Sequence, residues 1–176
     1  WLVEFDRYDS QESFPRFANI SRDLGLDAMT LSGGVVADDF DGDGWIDLMV
    51  SNWDIAGQLL CYRNNGDGTF SERTKEAGLT GLFGGLNLIQ ADYDNDGDVD
   101  VLVLRGGWQE TGAEISHPNS LLQNNGKGRF RDVTFAAGLR ESDFPTQTAS
   151  WADFDNDGLL DLYVGNESFP CQLFKN

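Results

Sequence analysis

The chain is poor in the residues on which most enzyme chemistry is built. Its 176 residues hold one histidine, His117, so a histidine metal cage or a Ser-His or Cys-His dyad would have to use that single side chain. His117 precedes Pro118 in a loop-like stretch and reads as a surface or turn residue. Two cysteines, Cys61 and Cys171, are too few for a disulfide scaffold and have no metal-ligand spacing; the sequence leaves open whether they pair. Cations are scarce as well. Twelve Lys plus Arg face 30 Asp plus Glu, a formal net charge of -18. Such a surface repels phosphate backbones and anionic lipid headgroups, which argues against nucleic acid and membrane surfaces and makes cations the natural partners. No apolar run approaches the roughly 18 residues of a membrane span, and Trp1 to Ser10 lack a basic stretch followed by an apolar one. Opening on Trp1 rather than Met, the chain reads as a processed product or an excerpt of something longer.

Apolar residues are not scarce. At 40% hydrophobic and 12% aromatic, the chain can bury a core, so its acidity does not signal disorder. Its organisation is repetitive. The segment from Asp39 to Asp47 (DFDGDGWID) recurs from Asp92 to Asp100 (DYDNDGDVD) and from Asp153 to Asp161 (DFDNDGLLD). A second marker, Asn64 to Phe70 (NNGDGTF), returns from Asn124 to Phe130 (NNGKGRF). A third, Ala77-Gly78-Leu79, returns as Ala137-Gly138-Leu139, with a fainter copy at Leu24-Gly25-Leu26. Between the markers lie short apolar runs, Leu48 to Val50, Leu59 to Tyr62, Val101 to Leu104 and Leu121-Leu122, of the kind buried on both faces of a sheet. Asn-Gly-x-Gly after such a run predicts a hairpin, because Asn and Gly tolerate positive φ. Thr74 to Gly78 predicts one helical turn stopped by glycine, and no amphipathic helix of three or more turns is found.

A period of about 50 to 60 residues with about four strands and no helix points to β-propeller blades. The expected fold is therefore all-β, a single segment over 1–176 with units at about 17–69, 70–129 and 130–176, the last incomplete. Three blades are fewer than the four or more that usually close a ring, so the chain is expected to be part of a larger propeller or assembly. The third unit stops before its hairpin, whereas Phe17 to Leu26 looks like the tail of a unit without its front. The edge after Leu173-Phe174-Lys175 is thus expected to be completed by a strand like Phe17 to Ile20, from this chain, a neighbouring copy or further sequence.

Each aspartate loop places carboxylates at positions 1, 3, 5 and 9 and glycine at position 6. Carboxylates this close repel one another unless a divalent ion lies between them; Ca²⁺ accepts 6 to 8 oxygens in flexible geometry, whereas Mg²⁺ prefers to keep its waters. About three Ca²⁺ ions are expected. The ligands are Asp39, Asp41, Asp43 and Asp47; Asp92, Asp94, Asp96 and Asp100; and Asp153, Asp155, Asp157 and Asp161. Position 7, occupied by Trp45, Asp98 and Leu159, can offer its backbone carbonyl whatever its side chain. An EF-hand is excluded, since it needs Glu at position 12 and flanking helices, and position 12 here is Val50, Val103 and Val164 in apolar segments. A set of plain Asp-Gly turns is the bland alternative, which three copies with identical ligand positions disfavour.

These loops, with Phe130-Arg131-Asp132-Val133-Thr134, Ala137-Gly138-Leu139 and the run from Trp151 to Val164, resemble the FG-GAP or VCBS repeat of integrin α-like propellers, and most closely the ASPIC/UnbV, cartilage acidic protein-like family. The resemblance spans roughly residues 17 to 176. It implies a secreted or surface-exposed, calcium-stabilised propeller used for adhesion, protein interaction or scaffold assembly, without enzymatic activity. Gly42 stands where that family usually has Asn. Two other binding readings remain, a subunit of an extracellular fibre or surface appendage, self-assembling through incomplete blades, and a carbohydrate-binding propeller. The latter would use Trp53 and Trp108, each following the second strand of its unit; packing between blades is the plainer role for both. The longest insertion, Arg105 to Ser120, holds Trp108, Glu110, Glu114 and His117 and reads as a binding loop or a solvated connector. Asn19 and Asn166 match the glycosylation acceptor pattern.

Overall fold

A computed structural model describes residues 17–105, 117–139 and 144–176. The described residues form three antiparallel sheets of consecutive strands and contain no α-helix. The first sheet runs β1 (Ser32–Asp38), β2 (Asp47–Asn52), β3 (Leu60–Asn64) and β4 (Phe70–Glu72). The second runs β5 (Asn87–Ala91), β6 (Asp100–Leu104), β7 (Ser120–Asn124) and β8 (Phe130–Asp132). The third has β9 (Thr146–Ala152), β10 (Asp161–Asn166) and β11 (Gln172–Phe174). These are the expected blades, all-β and meandering. Counted by sheet they span 32–72, 87–132 and 146–174, so units counted as 17–69, 70–129 and 130–176 carry β4 and β8 one unit forward.

The continuous apolar run of β6 has a direct cause. Val101 and Val103 belong to the core shared with the first sheet, alongside Met49, Cys61 and Leu122, while Leu102 and Leu104 belong to the core shared with the third, alongside Leu162 and Val164. β6 is buried on both faces and so cannot alternate; each such side chain contributes about 1.5–3 kcal/mol of transfer free energy. Phe40 and Phe130 meet edge to face at 5.5 Å within the first core.

β1, β5 and β9 are the strands the apolar runs did not announce. They begin the three sheets and lie against one another, β1 on β5 and β5 on β9. Backbone proximity fixes their composition. A Cβ on Gly33 would lie 2.1 Å from the Gly85 carbonyl oxygen, and one on Gly34 would lie 2.6 Å from the Leu88 nitrogen.

The helical turn after β4 forms as expected, with the Ala77 amide donating to the Arg73 carbonyl and Gly78 at φ +79°. It docks on the next blade, since the Phe130 amide donates to the Ala77 carbonyl at 2.9 Å. The fainter copy repeats that contact one blade earlier, the Phe70 amide donating to the Leu24 carbonyl at 2.9 Å, with Gly25 at φ +80°. This corrects the expectation only in its own-chain version, in which Phe17 to Ile20 of this same chain completes the β11 edge. That stretch forms no strand, Phe17 is fully exposed, and β11 pairs only with β10 among the described residues. The Leu24 carbonyl ties the segment to the first sheet instead. Phe174 is nonetheless not bare, for it packs half-buried on the core between the second and third sheets. Trp108, Glu110 and Glu114 lie outside the described residues.

Candidate metal centres

The three aspartate loops join β1 to β2, β5 to β6 and β9 to β10, so each lies at the same end of its blade and inherits the same backbone course. Position 4 is left-handed in every copy: Gly42 at φ +72°, Asn95 at +59° and Asn156 at +60°. Glycine and asparagine are the residues that tolerate that conformation, which is why Gly42 can stand for Asn. Position 6 is left-handed too, with Gly44, Gly97 and Gly158 at +89°, +92° and +91°.

The loops are wound around their first carboxylate. Asp39 accepts from the amides of Asp43 and Gly44, Asp92 from those of Asp96 and Gly97, and Asp153 from those of Asp157 and Gly158, all at 2.8–3.0 Å. The position 5 carboxylates of Asp43, Asp96 and Asp157 accept from the amides of Trp45, Asp98 and Leu159 at 2.9–3.0 Å. Position 7 thus supplies a backbone donor to its neighbour, while its side chain goes elsewhere. The Trp45 indole lies over Gly66, and the Asp98 carboxylate lies over Gly126.

Position 9 is buried beneath the loop. Asp47, Asp100 and Asp161 are 3%, 1% and 1% exposed. Each accepts from the backbone amide of the asparagine closing the third strand, Asn64 and Asn124 at 2.7 Å and Asn176 at 2.9 Å. The same asparagines reach across blades with their carboxamides, Asn124 donating to the Phe40 carbonyl and Asn176 to the Tyr93 carbonyl, at 2.9 and 2.8 Å. Burial, followed by the charges of Asp41 and Asp43, pushes the Asp47 carboxyl up to about 6; burial and the charges of Asp94 and Asp96 push Asp100 up to about 7.

Carboxylate oxygens of Asp39, Asp41 and Asp43, of Asp92, Asp94 and Asp96, and of Asp153, Asp155 and Asp161 lie within 4.8 Å of one another in each group. The residues fit a hard divalent cation by a second observation. Asp41 Oδ1, Asp94 Oδ1 and Asp100 Oδ2 are buried without a hydrogen-bond partner, a costly state for a carboxylate that an ion would relieve.

The residue before each closing asparagine was not among the expected site residues. Arg63 reaches Asp41 at 2.5 Å and Asp43 at 2.8 Å, Gln123 donates to Asp94 at 2.6 Å, and Lys175 pairs with both Asp155 and Asp157. Their differing chemistry hides them from a search for repeats, although the asparagine beside them is a repeated marker. Of the lesser candidates, Cys61 is buried, Cys171 exposed, and both thiols are free. Trp53 is exposed. Asn19 is exposed, whereas the Asn166 amide is engaged with the Pro170 carbonyl.

The FG-GAP-like repeat family matches residues 39–103 and 111–164, more than half of the chain, and the chain belongs to that family. Over 174 residues it is 29% identical to cartilage acidic protein 1 of Xenopus tropicalis, covering 96% of this chain and 25% of that protein. It is 27% identical to the Homo sapiens protein of the same name and 26% to that of Mus musculus, again over 96% of this chain. The chain spans about a quarter of the length of these curated relatives. No helix among the described residues is long and apolar enough to cross a membrane.

Proposed function

We propose that this chain is a calcium-stabilised propeller module of an extracellular protein, serving adhesion, protein interaction or scaffold assembly without catalysing a reaction. The carrying observation is the threefold recurrence of one carboxylate cage with buried, unpartnered oxygens in the first two copies. The side chains that would hold the ions are Asp39, Asp41, Asp43 and Asp47; Asp92, Asp94, Asp96 and Asp100; and Asp153, Asp155, Asp157 and Asp161, with the carbonyls of Trp45, Asp98 and Leu159 available. A bound ion would neutralise carboxylates that otherwise repel, fastening the first two strands of each blade together. A cluster of several carboxylate oxygens favours calcium, which takes 6 to 8 oxygens, over magnesium, which keeps its waters. Extracellular modules bind calcium with dissociation constants of about 10⁻⁴–10⁻³ M, so millimolar calcium would add about 0.5–1.5 kcal/mol per site. Similarity to proteins named cartilage acidic protein supports an extracellular setting. A protein or glycan is the partner class this reading favours, with no nucleic acid and no membrane insertion.

Thermal unfolding in chelator, then with millimolar calcium restored, tests the proposal. The midpoint is expected to fall and recover, with about three ions per chain by metal analysis. A chain that takes up no calcium at millimolar concentration overturns it. On a glycan array, binding lost in Trp53→Ala would assign the partner to a sugar.

A further inference from the structure

The three loops share one backbone but not one neighbour. At the position before the closing asparagine, the first blade places Arg63 on Asp41 and Asp43, and the third places Lys175 on Asp155 and Asp157. The second blade places a neutral amide, Gln123, on Asp94. Arg131 is held one side chain further away by its bond to Gln123 Oε1 at 3.1 Å. The first and third loops therefore combine four aspartates with one touching cation. The second combines five, Asp98 included, with none among the described residues.

We propose that Arg63, Gln123 and Lys175 rank the calcium affinities of the three loops, so that the second fills first. The inference rests on the calcium reading above and concerns how those sites differ. In the first and third loops an arriving ion must displace a tethered cation from the position 3 and 5 carboxylates or bind beside it; in the second it displaces only an amide. The side chains of Arg63 and Lys175 are 46% and 53% exposed, so water screens the repulsion, and the separation in affinity is on the order of five- to tenfold. The same contacts act in the opposite sense without calcium. Arg63 and Lys175 then hold their carboxylates together, whereas the second loop has no counter-charge in contact and opens first.

Calcium titration calorimetry on the full chain, with hydrogen exchange in chelator, tests both halves. The wild type is expected to show one tighter and two weaker ions. Arg63→Gln and Lys175→Gln should each tighten one weak site five- to tenfold and speed amide exchange in the corresponding loop in chelator. Gln123→Lys should do the reverse, weakening the tight site and slowing exchange at Asp96 to Asp98. Being a change in the opposite direction at a separate, half-buried residue, it reads the effect even if both glutamine variants misfold. Three equal sites that none of these substitutions alters overturn the ranking and leave the calcium reading intact; no calcium uptake at any loop overturns both.

Discussion

Asp100 carries opposite consequences with and without an ion. Its carboxylate is 1% exposed, holds the Asn124 amide through Oδ1 and leaves Oδ2 unpartnered. Asp100→Asn keeps an acceptor for that amide and removes the buried charge. In chelator at pH 8 it is expected to raise the unfolding midpoint, and in millimolar calcium to lower it through loss of the second ion, which contributes about 0.5–1.5 kcal/mol. Asp98→Asn should leave calcium uptake in place, because the Asp98 side chain lies over Gly126 rather than in the cage. Thermal scans with and without calcium check both, and a midpoint for Asp100→Asn that moves the same way in both buffers contradicts the assignment. The cysteines differ for similar reasons. Burial, then the charges of Asp47, Glu72 and Asp41, push the Cys61 thiol up to about 12, while the Asn166 backbone and the Tyr163 hydroxyl lower that of exposed Cys171. Iodoacetamide at pH 8 should label one thiol in the native chain, at Cys171, and two after denaturation; native labelling of Cys61 would refute the core placement.

Among the elements, the docking turn offers an internal control. Gly78 and Gly138 occupy equivalent turns with φ of +79° and +72°, so alanine pays the left-handed cost of about 1 kcal/mol at either. At Gly78 the new Cβ also meets a backbone atom, the Phe130 carbonyl oxygen at 3.0 Å; at Gly138 it meets nothing within 4 Å among the described residues. Gly78→Ala should therefore cost about 1 kcal/mol more than Gly138→Ala. Denaturant midpoints measure this, and equal losses would show that the interblade contact yields freely. These turns were legible in the sequence, as were the aspartate loops, the hairpins and strands β2, β3, β6 and β7, because each rests on local chemistry: positive φ, glycine, or a doubly buried apolar run. β1, β5 and β9 were not. Gly33 and Gly34 serve the approach of another strand rather than any local preference, and β9 exposes Thr148, Ser150 and Ala152 in alternation with half-buried Gln147, Ala149 and Trp151. Phe17 to Ile20 failed for the converse reason. A phenylalanine matched to a repeat predicted a strand, but the tertiary bond from Phe70 to Leu24 decides where that segment lies.

For the molecule as a whole, with its charge of -18, the proposed calcium reading makes stability a matter of protons and calcium together. Asp47 and Asp100 are ordinary carboxyls in the unfolded chain, near 3.8, and are raised to about 6 and about 7 in the fold, first by burial and then by neighbouring aspartates. A group raised on folding stabilises the protein in its protonated form; that contribution is present below about pH 4 and is lost as pH climbs through 6 and 7. Without calcium, the midpoint should therefore fall between pH 5 and pH 8. On the proposed reading calcium would reverse the preference by binding the deprotonated form, so the gap between midpoints with and without calcium should be small at pH 5 and widen towards pH 8. The lowered Asp43 and Asp157, each led by a backbone amide, act in the opposite sense but only below about pH 4, outside that window. Proton release gives an independent reading. Calcium titrations at pH 6 in buffers of differing ionisation enthalpy should show protons leaving on binding, with fewer released at pH 8. A gap between midpoints that is constant from pH 5 to 8, or binding heats independent of buffer at pH 6, would separate the ions from the buried aspartates beneath the loops.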